Sequence, residues 1–203
     1  RVVMQIAVLT FEGFNELDSF VVAGLLNRLR GQGWQAQITC PGAQVVSMNG
    51  VQVQAQQPLE FANQADVVLF GSGIRTRAIA EDPAILERLR LDPQRQLIGA
   101  QCSGALLMAK LGLLDGLPAC TDLTSKPWVA EAGVQVLDQP FHARGNLATA
   151  GGCLSSPYLA AWVIAKLAGE AACAEALHYV APVGEKQQFV ERALAVVRPY
   201  LQA

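Results

Sequence analysis

Cys102 lies in the segment LIGAQCSGALLMAKLGLL (residues 97–114), where a short apolar run meets a nucleophilic residue, then Gly104, then a strongly helical run. A cysteine at such a strand-to-helix turn has the mechanical logic of a nucleophile elbow, a tight, strained turn that pushes one side chain into a cleft. The start of a helix carries partial positive charge and favours thiolate over thiol. The backbone N–H of Ser103 points the same way and is placed to stabilise an oxyanion. Gly104 permits close approach of neighbouring backbone. Two chemistries follow: attack by sulfur on an electrophilic carbon, and oxidation of a reactive thiol. Cys40, Cys120, Cys153 and Cys173 lack this context and are expected to be inert packing thiols.

The elements that must position Cys102 follow from periodicity. Residues 2–10 (VVMQIAVLT) and 65–70 (ADVVLF) are β-rich apolar runs that predict buried strands, and 96–100 (QLIGA) predicts a third. Residues 34–40 alternate and end at Pro41-Gly42, and Asn49-Gly50 marks a hairpin within 45–57. Short strands are expected over 119–121, 134–137 and 147–150. Helical spacing predicts helices over 17–29, 83–91, 105–114, 156–168 and 185–201. Strands and helices alternate and the strands are apolar throughout, so the expected fold is α/β: a mostly parallel sheet with helices on both faces. Ligands in such sheets bind outside the carboxyl ends of the strands. Three glycine-bearing strand ends should meet there: Gly71-Ser72-Gly73, Cys102-Ser103-Gly104 and Gly151-Gly152.

Composition bounds the function. With 203 residues the chain is expected to form one domain over 1–203, and no repeat or linker divides it. It is 52% hydrophobic and 16% charged, with a formal net charge of -2 and no long run of either sign. No electrostatic footprint for nucleic acid or an anionic membrane is present. No apolar stretch reaches a membrane span, and the first apolar run is strand-like rather than a signal peptide. Five cysteines, an odd number, match no zinc spacing, and there are only two histidines, His142 and His178. No metal or cofactor is expected, and the thiols are expected to be free in a reducing cytoplasm. The Gly71-Ser72-Gly73 turn lacks the Lys-Ser/Thr ending of a phosphate loop.

Four segments occur in a familiar order: FEGFNELD (11–18), the GSG turn (71–73), AQCSGALLMAKLGLLDG (100–116) and GNLATAGG (145–152). On them the chain resembles the DJ-1/PfpI superfamily, the class I glutamine-amidotransferase-like fold, nearest to its isocyanide hydratase branch and the related ligand domains of AraC-type regulators. The resemblance implies a flavodoxin-like α/β/α sandwich with a cysteine nucleophile elbow. It implies Cys102 as nucleophile and Asp18, at the end of the F-x-x-x-x-x-L-D stretch, as acidic partner within hydrogen-bond reach of the sulfur. Glu12 and Glu16 match that role less well. It also implies backbone N–H groups of Gly73 and Ser103 as oxyanion donors, with Ser72, Gly104, Asp122 and Gly151 as pocket residues. Asp122 stands where many members carry a histidine, so a Cys–His pair is not implied, and Ser103 replaces a threonine of the hydratase branch. By resemblance the protein is a homodimer that hydrates a small isocyanide. The alternative is a non-catalytic redox or small-ligand sensor. The regulators' DNA-binding helices have no counterpart in the segments up to Ala203, so no nucleic-acid partner is expected.

Overall fold

The computed structural model describes residues 3–202; Arg1, Val2 and Ala203, with the first residue of the run expected over 2–10, lie outside them. Strand β1 (Met4–Leu9) is buried over Ile6 to Leu9 and leads into α1 (Glu16–Leu26). Asn15 caps that helix: its Oδ1 accepts the Leu17 N–H at 3.0 Å. The inward face of α1 carries Asp18, Val22, Leu25 and Leu26, a helical spacing that puts one carboxyl among apolar groups. A 3₁₀ segment (Asn27–Gln32) continues to β2 (Trp34–Cys40). The hairpin at Asn49-Gly50 is formed by β3 (Gln44–Val46) and β4 (Gln52–Gln54). Then follow β5 (Gln57–Pro58), β6 (Val67–Phe70), α2 (Thr76–Ala80), α3 (Pro83–Leu86), β7 (Leu97–Gln101) and α4 (Gly104–Lys110). The remainder is α5 (Lys126–Glu131), β8 (Phe141–Arg144), β9 (Leu147–Ala150), α6 (Ser156–Ala168), α7 (Glu170–Val180) and α8 (Lys186–Val197).

The sheet has the order β5-β2-β1-β6-β7-β9-β8. All pairings are parallel except that of β8 with β9. One core fills the space between the sheet and α1, α6, α7 and α8, with Trp162 fully buried in it. A second core lies on the opposite face, under α2, α4 and α5. This is the α/β/α sandwich that alternating buried strands and helices predict.

Several boundaries differ from expectation. The helix predicted over 105–114 ends at Lys110, because Gly112 adopts φ 75 and breaks it. The helix over 83–91 shrinks to α3: the Asn63 side chain accepts the Arg90 N–H and donates to the Arg88 carbonyl, which draws the backbone out of helical pairing. The strands expected over 119–121 and 134–137 reduce to one bridge between Ala119 and Val136. Helices α2, α5 and α7 and the edge strand β8 were not expected from periodicity.

Candidate functional site

The chain turns from β7 into α4 at Cys102, whose φ is 49, the one left-handed non-glycine conformation among the described residues. An L-residue there carries strain of about 1 kcal/mol or more, which the surroundings must hold. They do so at both ends of the residue. The Cys102 N–H extends the ladder to β9 by donating to the Ala150 carbonyl at 2.8 Å. The Cys102 carbonyl accepts the Thr121 hydroxyl at 2.7 Å. Gly104 makes the turn possible, since a Cβ there would stand 2.7 Å from the Phe70 carbonyl oxygen and 2.9 Å from that of Gly71. The strain has a measurable sign. Cys102→Gly is expected to be more stable than Cys102→Ala by roughly 1 kcal/mol, reversing the usual order of the two residues. Urea unfolding of both variants checks this, and an alanine variant at least as stable as the glycine one would contradict it.

Four chain segments meet at the carboxyl end of the sheet. The turn after β1 and the start of α1 bring Asn15 and Asp18. The turn after β6 brings Ser72 and Gly73, the elbow brings Cys102 and Ser103, and the turn after β9 brings Cys153. The Cys102 and Cys153 sulfurs and a carboxylate oxygen of Asp18 lie within 4.8 Å of one another. They are the only thiol and acid groups among the described residues close enough to share a metal ion, and they are fewer than a structural zinc site takes. A cleft of about 280 Å³ opens over them. Met48, Ile74 and Trp128 form its apolar side, and Ser72, Gly73, Ser103, Asp122 and Cys153 surround Cys102. No lysine or arginine lines it.

Asp18 stands behind the cleft rather than in it. It is fully buried, and Ser72, which does line the cleft, donates its hydroxyl to Asp18 Oδ2 at 2.5 Å. Asp18 Oδ1 has no hydrogen-bond partner, and no hydrogen bond joins the carboxyl to the Cys102 sulfur. Burial pushes the Asp18 carboxyl up to about 6, against the opposing effect of hydrogen bonding to Ser72. Glu12 and Glu16 are committed elsewhere. Glu12 accepts the Val46 N–H at 3.1 Å, and Glu16 accepts from Ser47 and Asn49 of the β3–β4 hairpin.

The expected lowering of the Cys102 pKa is not what its surroundings produce. Burial first, then the charges of Asp18, Asp122 and Cys153, push the thiol well above its usual range, and a backbone hydrogen bond from Gly152 only partly offsets them. The helix start at α4 is two turns long and faces two carboxylates, so its partial charge is outweighed. At neutral pH the site therefore holds a thiol beside an acid poised near its own titration point. Cys40, Cys120 and Cys173 are fully buried, and burial raises each to about 12. Cys153 departs from the expectation of an inert packing thiol: it is half-buried, lines the cleft, and its sulfur accepts the Asn15 amide at 3.2 Å.

The remaining expected residues divide. The Gly73 N–H donates to Ser103 Oγ at 3.1 Å, and that hydroxyl also meets Thr76 Oγ1 at 2.7 Å. The Ser103 N–H has no acceptor among the described residues, and points from the elbow as an available donor. Asp122 lines the cleft and accepts the Ser125 N–H at 3.1 Å, capping the turn before α5. Gly104 is buried beneath the elbow, and Gly151 lines a neighbouring hollow with Thr121 and Leu137 rather than the cleft. His142 packs on the Tyr200 ring from β8 and His178 ends α7; neither lines the cleft. Asn15, Met48, Ile74, Trp128 and Cys153 were missed. Cys153 had a signal, because it directly follows the Gly151-Gly152 strand end already assigned to this end of the sheet.

Comparison with known proteins bears on the whole arrangement. The description of the DJ-1/PfpI family matches residues 4–166. No curated protein matches. Among solved structures, DJ-1 from Schizosaccharomyces pombe superposes with a TM-score of 0.76 at 16% identity, covering 88% of this chain and 100% of that one. A DJ-1 superfamily protein from Salmonella typhimurium, solved as a cysteine-to-alanine mutant, gives 0.75 at 24% identity, covering 87% and 97%. An AraC family transcriptional regulator from Pseudomonas putida gives 0.71 at 16% identity, covering 88% and 100%. At these identities the likeness to the three structures is one of fold.

Proposed function

We propose that this chain, which belongs to the DJ-1/PfpI family, is a cysteine-dependent hydro-lyase that hydrates a small, uncharged isocyanide to an N-substituted formamide. The observation that carries the reading is a strained elbow thiol paired with a buried carboxyl and no histidine, under a small cleft without a cationic side chain. A cleft holding Asp122 and no lysine or arginine disfavours anionic substrates, and Met48, Ile74 and Trp128 suit an organic substituent. An isocyanide carbon accepts a nucleophile and a proton at the same atom, which a thiol with an adjacent acid supplies.

The Cys102 sulfur adds to the terminal carbon as its proton passes by way of Asp18 to that carbon. One S–C and one C–H bond form, giving a thioimidate. Water then adds to the same carbon, a proton reaches nitrogen, and the C–S bond breaks. The formamide leaves and the sulfur regains its proton; the sum is isocyanide plus water. Ser72 links the buried carboxyl to the cleft and relays the proton from the attacking water. The Ser103 N–H steadies the transient oxyanion, while the Gly73 N–H, engaged by the Ser103 hydroxyl oxygen, fixes the turn beside it. Incubation with a simple alkyl isocyanide, followed by NMR for the formamide, tests the reading. No formamide from protein whose Cys102 remains alkylatable overturns it.

The second reading is a small-ligand sensor, favoured by the protonated resting state of the thiol. Saturable binding of an isocyanide or aldehyde without product separates it from the hydratase. Free cysteines support a reducing cytoplasmic setting, and among the described residues no helix is long and apolar enough to cross a membrane. A homodimer is the expected assembly: Leu17, Phe20 and Val21 on α1 and Leu154 beside it stand exposed, apolar groups that a second copy would cover. Light scattering at micromolar concentration should give twice the chain mass, and a monomer mass would contradict it.

A further inference from the structure

We propose that Cys153 is a resolving cysteine, which captures Cys102 as an intramolecular disulfide when a hydroperoxide oxidises it. The inference rests on Cys102 being the reacting thiol, as in the reading above, but not on any isocyanide chemistry. Three observations carry it. The two sulfurs lie within 4.8 Å of each other, at the floor of one cleft that admits a small oxidant. The fully buried Asp18 leaves Oδ1 without a partner in the same cluster, an acceptor for the proton that Cys102 must lose. Asn15, itself fixed as the cap of α1, aims its amide at the Cys153 sulfur and holds it facing the cleft.

The chemistry balances with a hydroperoxide as the two-electron oxidant. The Cys102 sulfur attacks the distal peroxide oxygen; its thiol proton passes through Asp18 to the leaving alkoxide, and the O–O bond breaks. Cys102 becomes a sulfenic acid and the hydroperoxide an alcohol. The Cys153 sulfur then displaces hydroxide from the Cys102 sulfur, so that one S–S bond forms and one S–O bond breaks. The hydroxide leaves with the Cys153 proton as water. A disulfide requires the sulfurs to close to about 2.05 Å. Cys153 begins a 3₁₀ segment of three residues and follows Gly152, which adopts φ 90, a conformation glycine takes without side-chain strain. Leu154 next to it is 83% exposed, so the segment is not locked by core packing on that side. The consequence is protection: the disulfide stops Cys102 short of the irreversible sulfinic acid.

The test is intact-mass spectrometry with peptide mapping after treatment with hydrogen peroxide, alongside iodoacetamide labelling of untreated protein. The expected result is loss of two hydrogens, a linked Cys102–Cys153 peptide, and full recovery of both free thiols with dithiothreitol. In Cys153→Ser, whose half-exposed site tolerates the change, Cys102 should instead gain two oxygens irreversibly. Wild-type protein that accumulates sulfinic acid on Cys102 while Cys153 stays alkylatable would overturn the proposal. So would a disulfide from Cys102 to any other cysteine. Failure of iodoacetamide to label Cys102 in untreated protein would instead strike the nucleophile assignment on which both readings stand.

Discussion

Cys102→Ser is expected to lower isocyanide hydration by at least roughly 10³-fold while the protein stays folded with its cleft intact. The substitution changes one atom. Serine keeps the side-chain length, the left-handed backbone at φ 49 and the clamps from Ala150 and Thr121. What it loses is nucleophilicity. A hydroxyl beside Asp18 is a far weaker acid than the thiol, and no histidine lines the cleft to deprotonate it. The loss should appear in kcat, with KM little changed, because the apolar wall of Met48, Ile74 and Trp128 that holds the substrate is untouched. Formamide production by the two proteins, at matched folded concentration from circular dichroism, checks the expectation. A serine variant within tenfold of wild type would mean that Cys102 is not the group that attacks, and would return the site to a binding role.

The parts of this site that were legible in the sequence are those written by local rules. The elbow declares itself because a strand, a small-residue turn and a helix succeed one another around Cys102, and Gly104 must lack a side chain for α4 to pack on β6. Strands β1, β6 and β7 are continuous apolar runs because both their faces are covered. Strand β8 escaped because it is an antiparallel edge: Phe141 and Ala143 point inward while His142 and Arg144 do not, so its four residues show no apolar run. Helix α5 is one and a half turns with a proline in its first turn, too short for a period to show. The site's electrostatics were the least legible part. A helix start predicts a thiolate, but the carboxylates that oppose it come from α1 and from the turn before α5, distant in sequence and adjacent only once folded. Cys153 is signalled by the Gly151-Gly152 strand end beside it, but its closeness to Cys102 follows only from the β7–β9 pairing.

Asp18→Asn should separate catalysis from thiol reactivity and from stability, lowering the first while raising the other two. Turnover should fall by roughly 10²- to 10³-fold, because asparagine cannot accept and return the proton that passes between sulfur, carbon and water. Alkylation of Cys102 by iodoacetamide at pH 7 to 8 should become faster, by roughly tenfold. Asp18 is the larger of the two carboxylate charges that raise the thiol, and removing it enlarges the thiolate fraction. Stability should rise at neutral pH. The carboxyl titrates at about 6 in the folded protein against an ordinary value of 3.8, so the folded state holds the proton that the unfolded chain has lost between those pH values. Protons bound by the folded state then exceed those bound by the unfolded one, and stability falls as pH rises through about 4 to 6. Above that window the ionised, buried carboxylate costs on the order of 2 to 3 kcal/mol, which an uncharged amide of the same shape largely avoids. The variant should therefore unfold at higher urea near pH 7.5, and its midpoint should be flatter than that of the wild type between pH 4 and 6. Ser72 keeps a carbonyl acceptor in the variant, so the cleft should retain its shape. Asp122→Asn serves as the control, since Asp122 also lines the cleft and also raises the thiol, yet caps the turn before α5. If Asp122→Asn abolishes turnover while Asp18→Asn leaves turnover and alkylation unchanged, the proton passes through Asp122 and the buried carboxyl of α1 is a structural acid.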